Sequence, residues 1–359
     1  MLLLKKIFSV LLAISIPLIA VGCEKKGSII EFQCFNTEVY VQSTQNIPTK
    51  VESAIKSCLL DLENKFTTQS QTSFISNFNR SNQGEIFNLD QSSFQVLSLA
   101  KKIYDFSDGY YDASVYPLAK LYGFAPYKYS ASYTPPNQEQ IKAELKKVNF
   151  NDVILDYDLK TLTKNSNDVK IDLGGIVKGY AVDLVAQILK DNKITTGYVN
   201  IGGSSLNLLS VDTLGVRHPR KPLGNAILTV NCKGQKNLSV STSGDYEKYY
   251  KDNNGNKYCH LINPKTGLTT TTGVASATIL GVSGAESDAL TTAICLLNHD
   301  LVNAENSNLI TFLKKITQTY SNCSIYVVFD DGQNKLLITN KIQGENFTLH
   351  DTEYSVANI

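Results

Sequence analysis

From residue 176 onward, apolar residues arrive in pairs that repeat every four positions: Ile176/Val177, Tyr180/Ala181, Leu184/Val185 and Ile188/Leu189. That spacing marks one buried stripe of an amphipathic helix. Before it, VKIDL reads as a strand, and Gly174-Gly175 supplies the turn between them. A helix is also expected over 49–65, from Val51, Ile55, Leu59 and Leu62, with Thr49 and Glu52 as a capping box after Pro48. Another covers 91–107, with Phe94, Leu97 and Ile103 on its apolar side and a stop at Asp108-Gly109. Residues 124–137, rich in Tyr and Pro, read as a loop, followed by a helix over 137–147. Residues 35–42 read as the first strand, after a polar tether over 24–30. Hairpins are expected at 153–164 and at 324–340, the latter turning near Asp331-Gly332. A strand is expected over 197–203, short strands and turns over 207–250, and a helix over 285–298. This mixed order, without an internal repeat, predicts an α+β fold rather than a regular βαβ array.

Composition adds limits. The 359 residues are 42% hydrophobic and carry a net charge of +1, so no polybasic footprint argues for nucleic acid. The N-terminus changes the picture more. Lys5 and Lys6 precede a largely apolar run that ends LIAVGC, then EKK. That is a signal-peptide pattern, too short to span a bilayer, and its end resembles a bacterial lipobox. The expectation is a signal peptide over 1–22, a lipidated Cys23 with its tether over 23–30, and one functional domain over 31–359. Such a protein is anchored to the extracytoplasmic face of the cell membrane without crossing it. The other six cysteines form no CxxC or zinc pattern and are left unpaired.

Three stretches carry candidate chemistry. Asp172, Gly174, Gly175 and Lys178 stand at the mouth of the 176–189 helix. A helix N-terminus is already positive, so Lys178 makes sense there if an anion such as a phosphate sits beside it. The plainer alternative is a glycine turn with a solvated lysine. Asp288 and Thr292, four apart on one helix face, offer hard oxygen ligands suited to Mg2+. Ser287 and Thr291 share that spacing and compete for the role, and a merely polar helix face is the alternative. His260, beside the turn NPKTG, is a candidate catalytic imidazole or a structural one.

Taken together, DLGGIVKGYAVD (172–183), NIGG (200–203), SGDY (243–246), HLINPKTG (260–267) and SDALTTA (287–293) resemble the ApbE family, the FAD:protein FMN transferases. FNTEVY (35–40), FTTQSQTSFISNFN (66–79) and DGYYDASVYPLAKLYGF (108–124) extend the resemblance over nearly the whole chain beyond the tether. It implies a mixed α/β domain with FAD bound in a cleft between lobes. It further implies that Asp172 and Lys178 contact the FAD, and that Phe35, Tyr110, Tyr111, Asp112 and Ile262 border it. The carbonyl of Gly175 would join Asp288 and Thr292 around Mg2+, with His260 at the reaction centre. The implied reaction moves FMN from FAD to a Thr or Ser hydroxyl of an exported acceptor protein and releases AMP. Lys178 would stabilise charge, and His260 would serve as base at an ordinary pKa of about 6.5, with Asp245 in reserve. The chain departs from the family at Phe35-Asn36, where Met-Gly is frequent, and at Gln69, where an aromatic is usual. It also departs at Ser204 and Asn263, where acidic residues are common. Three rival readings remain: an FAD pyrophosphatase giving FMN and AMP, a non-catalytic exported FAD-binding lipoprotein, and a solute-binding lipoprotein, which would need two similar lobes.

Overall fold

A computed structural model describes residues 27–128, 130, 132–298 and 307–359. The signal peptide and Cys23 lie outside the described residues. In chain order come β1 (Ser28–Cys34), β2 (Thr37–Ser43), α1 (Thr49–Phe66), α2 (Phe74–Arg80), β3 (Phe87–Asn88), α3 (Gln91–Phe106), α4 (Tyr116–Leu121) and α5 (Gln138–Leu145). Next are β4 (Val153–Asp156), β5 (Thr161–Lys164), α6 (Val177–Asp191), β6 (Gly197–Ile201), β7 (Ser205–Ser210), β8 (Thr213–Arg217) and β9 (Ala226–Asn231). The chain continues through β10 (Leu238–Gly244), β11 (Tyr249–Lys251), β12 (Lys257–Cys259), β13 (Val274–Leu280), α7 (Gly284–Cys295) and α8 (Asn308–Thr319). It closes with β14 (Ser324–Asp330), β15 (Lys335–Thr339), β16 (Phe347–Leu349) and β17 (Ser355–Asn358).

One sheet of nine strands, in the order β1-β2-β6-β7-β10-β13-β14-β15-β17, organises the protein. Its pairs are antiparallel except β15 with β17. Both faces are covered, and the central strands show it in their side chains. Ile325, Val327 and Phe329 of β14 join the core beneath the helices, while Tyr326 and Val328 join a second core on the opposite face. Successive strand residues point to opposite faces, so a strand covered on both sides is apolar throughout. β13 is buried at all seven positions. The second core is closed by a small sheet, β16-β9-β8, and a third cluster joins α4 and α5 to Ile262. A single continuous sheet gives no support to the two-lobed solute-binding reading. Among the described residues no helix is long and apolar enough to cross a membrane.

The α+β expectation holds, with four local corrections. Of the expected tether, 24–26 lie outside the described residues and 28–30 belong to β1, whose seven residues pair with β2 from Ser28↔Ser43 to Cys34↔Thr37. The capping box at Thr49 does not form: Pro48 is the N-cap of α1, no side chain caps it, and Glu52 pairs instead with Lys56 at 2.7 Å. VKIDL belongs to no strand. The Asn79 side chain brackets it, accepting from Ile171 N at 2.7 Å and donating to Ile171 O at 2.9 Å, while Asp172 N donates to Ala113 O at 2.8 Å. Finally, α8 has no counterpart in the sequence reading. The stripe of α6 forms, with Ile176, Val177, Tyr180, Ala181, Val185 and Leu189 buried and Leu184 and Ile188 half-buried, while Val182, outside the expected pairs, is buried as well. Burial at roughly 1.5–3 kcal/mol per large apolar side chain outweighs a missing N-cap, worth about 1 kcal/mol. That is why α6 tolerates Ile176 as an N-cap without a side-chain hydrogen bond.

Candidate active site

The first turns of α6 and α7 cross at two glycines. A Cβ on Gly179 would lie 2.0 Å from Gly284 O, and one on Gly284 would lie 2.4 Å from Gly179 O. Only glycine permits backbones this close. The contact lets each helix cap the other. Asp183 of α6 accepts from Gly284 N at 2.9 Å, from Ala285 N at 3.3 Å and from the Ser239 hydroxyl at 2.6 Å. In return, Asp288 of α7 accepts from Gly179 N at 3.1 Å. The mouth of α6 therefore holds a carboxylate from the neighbouring helix, and one of its free amides is already engaged.

Around Asp288 the candidate ligands gather. The Lys178 ammonium lies 3.7 Å from its Oδ2 and donates to Gly174 O at 3.4 Å. Thr292 donates to the Asp288 carbonyl at 3.1 Å, and a Cβ on Gly175 would stand 3.6 Å from Thr292 Oγ1 and 3.5 Å from the Tyr111 ring. Ser287 and Thr291 are fully buried, whereas Thr292 is half-buried, which leaves Thr292 as the accessible hydroxyl. The buried Tyr111 hydroxyl has no hydrogen-bond partner. Burial first, then the charges of Asp288, Asp172 and Asp112, push its pKa well above 10. An orphaned buried hydroxyl costs about 1–3 kcal/mol and points to a group that would satisfy it. Asp288, Thr292 and Gly175 offer a carboxylate, a hydroxyl and a carbonyl, a hard donor set that fits Mg2+ taking its remaining ligands from phosphate. Among the described residues no three His, Cys, Asp or Glu side chains form a metal cluster.

Asp172 turns back to accept from Gly174 N at 2.8 Å. Burial raises its pKa, against the Gly174 amide, Lys248 and Lys178. An open cavity of roughly 440 Å³ is lined by Tyr116, Pro117, Lys120, Asp168 and Lys170 among others.

His260 follows β12 and is half-buried. Its backbone N–H and its Nδ1 both reach Lys248 O, at 2.9 and 3.3 Å. A carbonyl only accepts, so Nδ1 carries the proton and Nε2 is left with a lone pair. The expected pKa near 6.5 is corrected. Burial, then the Lys248 and Lys178 charges, bring it down to about 4, against the Lys248 carbonyl and Asp245. The imidazole is thus neutral at physiological pH.

The remaining candidates divide. Asp245 is held by Arg220, at 2.6 and 3.0 Å, and by Lys257 at 3.1 Å, so both of its oxygens are engaged and it is a poor reserve base. Asp112 accepts from Ser114 N and Oγ at 2.7 and 2.6 Å, and burial raises it to about 6. Tyr110 lies under the Lys265 ammonium, 4.1 Å from the ring centroid. Ile262 packs against Leu118, Tyr122 and Ile141, leaving its main chain as the part able to face a ligand. Phe35 sits at the β1–β2 hairpin tip with φ of 55°, costly for a bulky residue, and its N–H donates to Glu63 at 2.8 Å. Asn263 caps its own turn through Lys265 N at 2.9 Å, so the Asp-to-Asn departure keeps the turn. Gln69 is exposed. Sequence reasoning missed Asn79, Asp183 and Lys248. Asn79 and Asp183 act through partners far along the chain, and Lys248 through the β11–β12 register, so no local spacing signals them.

A model of the ApbE family matches residues 27–310. The FAD:protein FMN transferase of Haemophilus influenzae is 28% identical over 331 residues, covering 86% of this chain and 93% of that protein. The ApbE protein of Thermotoga maritima superposes with a TM-score of 0.71 at 27% identity, over 85% of this chain and 94% of that one. The flavin transferase ApbE of Vibrio cholerae gives a TM-score of 0.72 at 19% identity, over 91% and 97%, a likeness of fold.

Proposed function

This chain belongs to the ApbE family, and from that premise we propose that it is an exported, lipid-anchored FAD:protein FMN transferase acting on Thr or Ser hydroxyls. The observation that carries the reading is the interlock of α6 and α7. It brings Asp288, Thr292, Gly175 and Lys178 together at an unpartnered Tyr111 hydroxyl.

FAD is the substrate, held through its pyrophosphate by Lys178 with Asp172 beside it, and bordered by Tyr110, Tyr111 and main-chain groups at Phe35 and Ile262. The residues at Asp288, Thr292 and Gly175 fit Mg2+, which would neutralise charge on pyrophosphate oxygens when bound. The acceptor hydroxyl oxygen bonds to the FMN phosphorus, and the bond from that phosphorus to the bridging oxygen breaks. AMP leaves with the bridging oxygen. The hydroxyl proton passes to His260 Nε2, which the Lys248 carbonyl keeps unprotonated, and from there to the departing AMP or to water. Lys178 stabilises charge on the transferring group. The exported setting rests on the N-terminal pattern and places acceptors on the same membrane face.

The test is mass spectrometry of a Thr-containing acceptor domain after incubation with the protein, FAD and Mg2+. FMN on the acceptor with AMP in solution is expected. Free FMN and AMP with an unmodified acceptor would turn the reading to the pyrophosphatase. FAD bound but uncleaved would turn it to the non-catalytic binding protein.

A further inference from the structure

Lys248 immediately precedes β11, and His260 immediately follows β12. The ladder pairs Tyr249 with Cys259, and His260 N donates to Lys248 O at 2.9 Å, so Lys248 stands directly across from His260. Residues directly opposite in an antiparallel pair project on the same face, with Cβ atoms about 4.5–5.5 Å apart. The Lys248 side chain therefore lies alongside the imidazole. It is exposed, and among the described residues it has no ion-pair partner and no side-chain hydrogen bond. A solvated lysine would keep its ordinary pKa. Here the surrounding protein, then the Lys178 charge, lower it, against Asp172 and Glu247. The ladder geometry places this exposed amine on the same face as the imidazole whose Nδ1 and backbone N–H both bond to the Lys248 carbonyl.

The balance of charge there is unusual. Lys178 and Lys248 repel each other, and both act on a neutral His260. Lys178 leans on Asp288 at 3.7 Å, whereas Lys248 has no such partner. A cation held beside a second cation, with its hydrogen-bonding capacity free, is matched by an anion bearing more than one charge.

We propose that Lys248 is a second phosphate-binding cation of the site, contacting the phosphoryl group on the His260 side, opposite the group held by Lys178. The identity of that anion as the FMN phosphate of FAD rests on the transferase reading. Lys248 then does two things: its carbonyl fixes the tautomer of His260, and its ammonium draws the phosphorus toward the hydroxyl that His260 deprotonates.

The experiment compares wild type, Lys248→Met and Lys248→Arg in the full chain. Affinity for FAD and for inorganic pyrophosphate, each with Mg2+, is read by calorimetry. The His260 midpoint is read by proton NMR of its imidazole, identified by its loss in His260→Gln. The charged groups facing that imidazole are Lys248 and Lys178, which lower it, and Asp245, which raises it. Lys248→Met is expected to weaken both ligands about tenfold, as for loss of one charge-assisted hydrogen bond, with most of the affinity restored by Lys248→Arg. The His260 midpoint should rise in Lys248→Met. Unchanged affinity for pyrophosphate in Lys248→Met, or failure of arginine to restore it, overturns the assignment. Neither binding measurement requires transfer. A wild type that holds pyrophosphate through Lys248 but leaves acceptors unmodified would overturn the transferase reading and leave this role standing.

Discussion

Two helix mouths in this protein hold an aspartate and a lysine, and they differ in how completely the pair is used. At α3 the aspartate is local. Asp90 is the N-cap, accepts from Ser93 N at 2.8 Å and from Ser92 Oγ at 3.0 Å, and meets Lys65 at 2.5 Å. Those bonds hold its pKa well below the usual carboxylate range despite partial burial. At α6 the aspartate comes from another helix. Asp288 takes one amide at 3.1 Å and stands 3.7 Å from Lys178, with a buried tyrosine hydroxyl unpaired nearby. The same two residue types make a closed cap in one place and an open one in the other. Saturation marks a structural pair, and unused capacity marks a site that waits for a ligand.

The largest effects are expected at the open mouth. Asp288→Ala should cut FMN transfer at least about a hundredfold, even in excess Mg2+, because it removes the charged member of the donor set. Undiminished transfer would reduce Asp288 to a trans-cap. His260→Ala should cost about 10²–10⁴ in transfer rate with FAD affinity retained; a wild-type rate would reassign the base. Gly179→Ala forces a Cβ to within 2.0 Å of Gly284 O. It should destabilise by about 1–3 kcal/mol, seen as a lowered Tm, and reduce transfer by displacing Asp288. The pH profile sharpens the picture further. His260 is held at about 4 in the free protein, so its imidazole is neutral above that pH and protonated below it. The acid limb of kcat/KM should therefore fall toward pH 4 rather than near the unperturbed value of about 6.5. The smallest effect belongs to the closed mouth: Asp90→Ala should lose about 1 kcal/mol of stability and leave the transfer rate unchanged.

What the sequence revealed follows from the range of each interaction. The α6 stripe, the 153–164 hairpin and the turn at Asp331-Gly332 are set by neighbours a few residues apart, and all three form. α3 stops where Asp108-Gly109 says it should, with Gly109 N donating to Tyr104 O at 2.8 Å. The Thr49–Glu52 pattern misled because Pro48 already starts α1, so Thr49 is helical and cannot cap. The VKIDL segment misled because a buried apolar run can be pinned by a side chain as well as by a strand. Its partner, Asn79, is 92 residues away. The same distance problem hid Asp183, whose partner amides lie 101 and 102 residues on. Lys248 was invisible for another reason: only the β11–β12 register places it beside His260. The site residues suggested by family resemblance do converge at Lys178, Gly175, Asp288, Thr292 and Tyr111. Asp245 and Asp112 are instead engaged by Arg220 and Ser114.

The crossed mouths of α6 and α7 are proposed to form a metal and pyrophosphate site. Calorimetric titration of Mg2+ into the protein, with and without saturating FAD, tests it most directly when wild type is compared with Asp288→Asn. Metal binding that is tight only in the presence of FAD and lost in Asp288→Asn is the expected result. Equal Mg2+ affinity in the two proteins would contradict it.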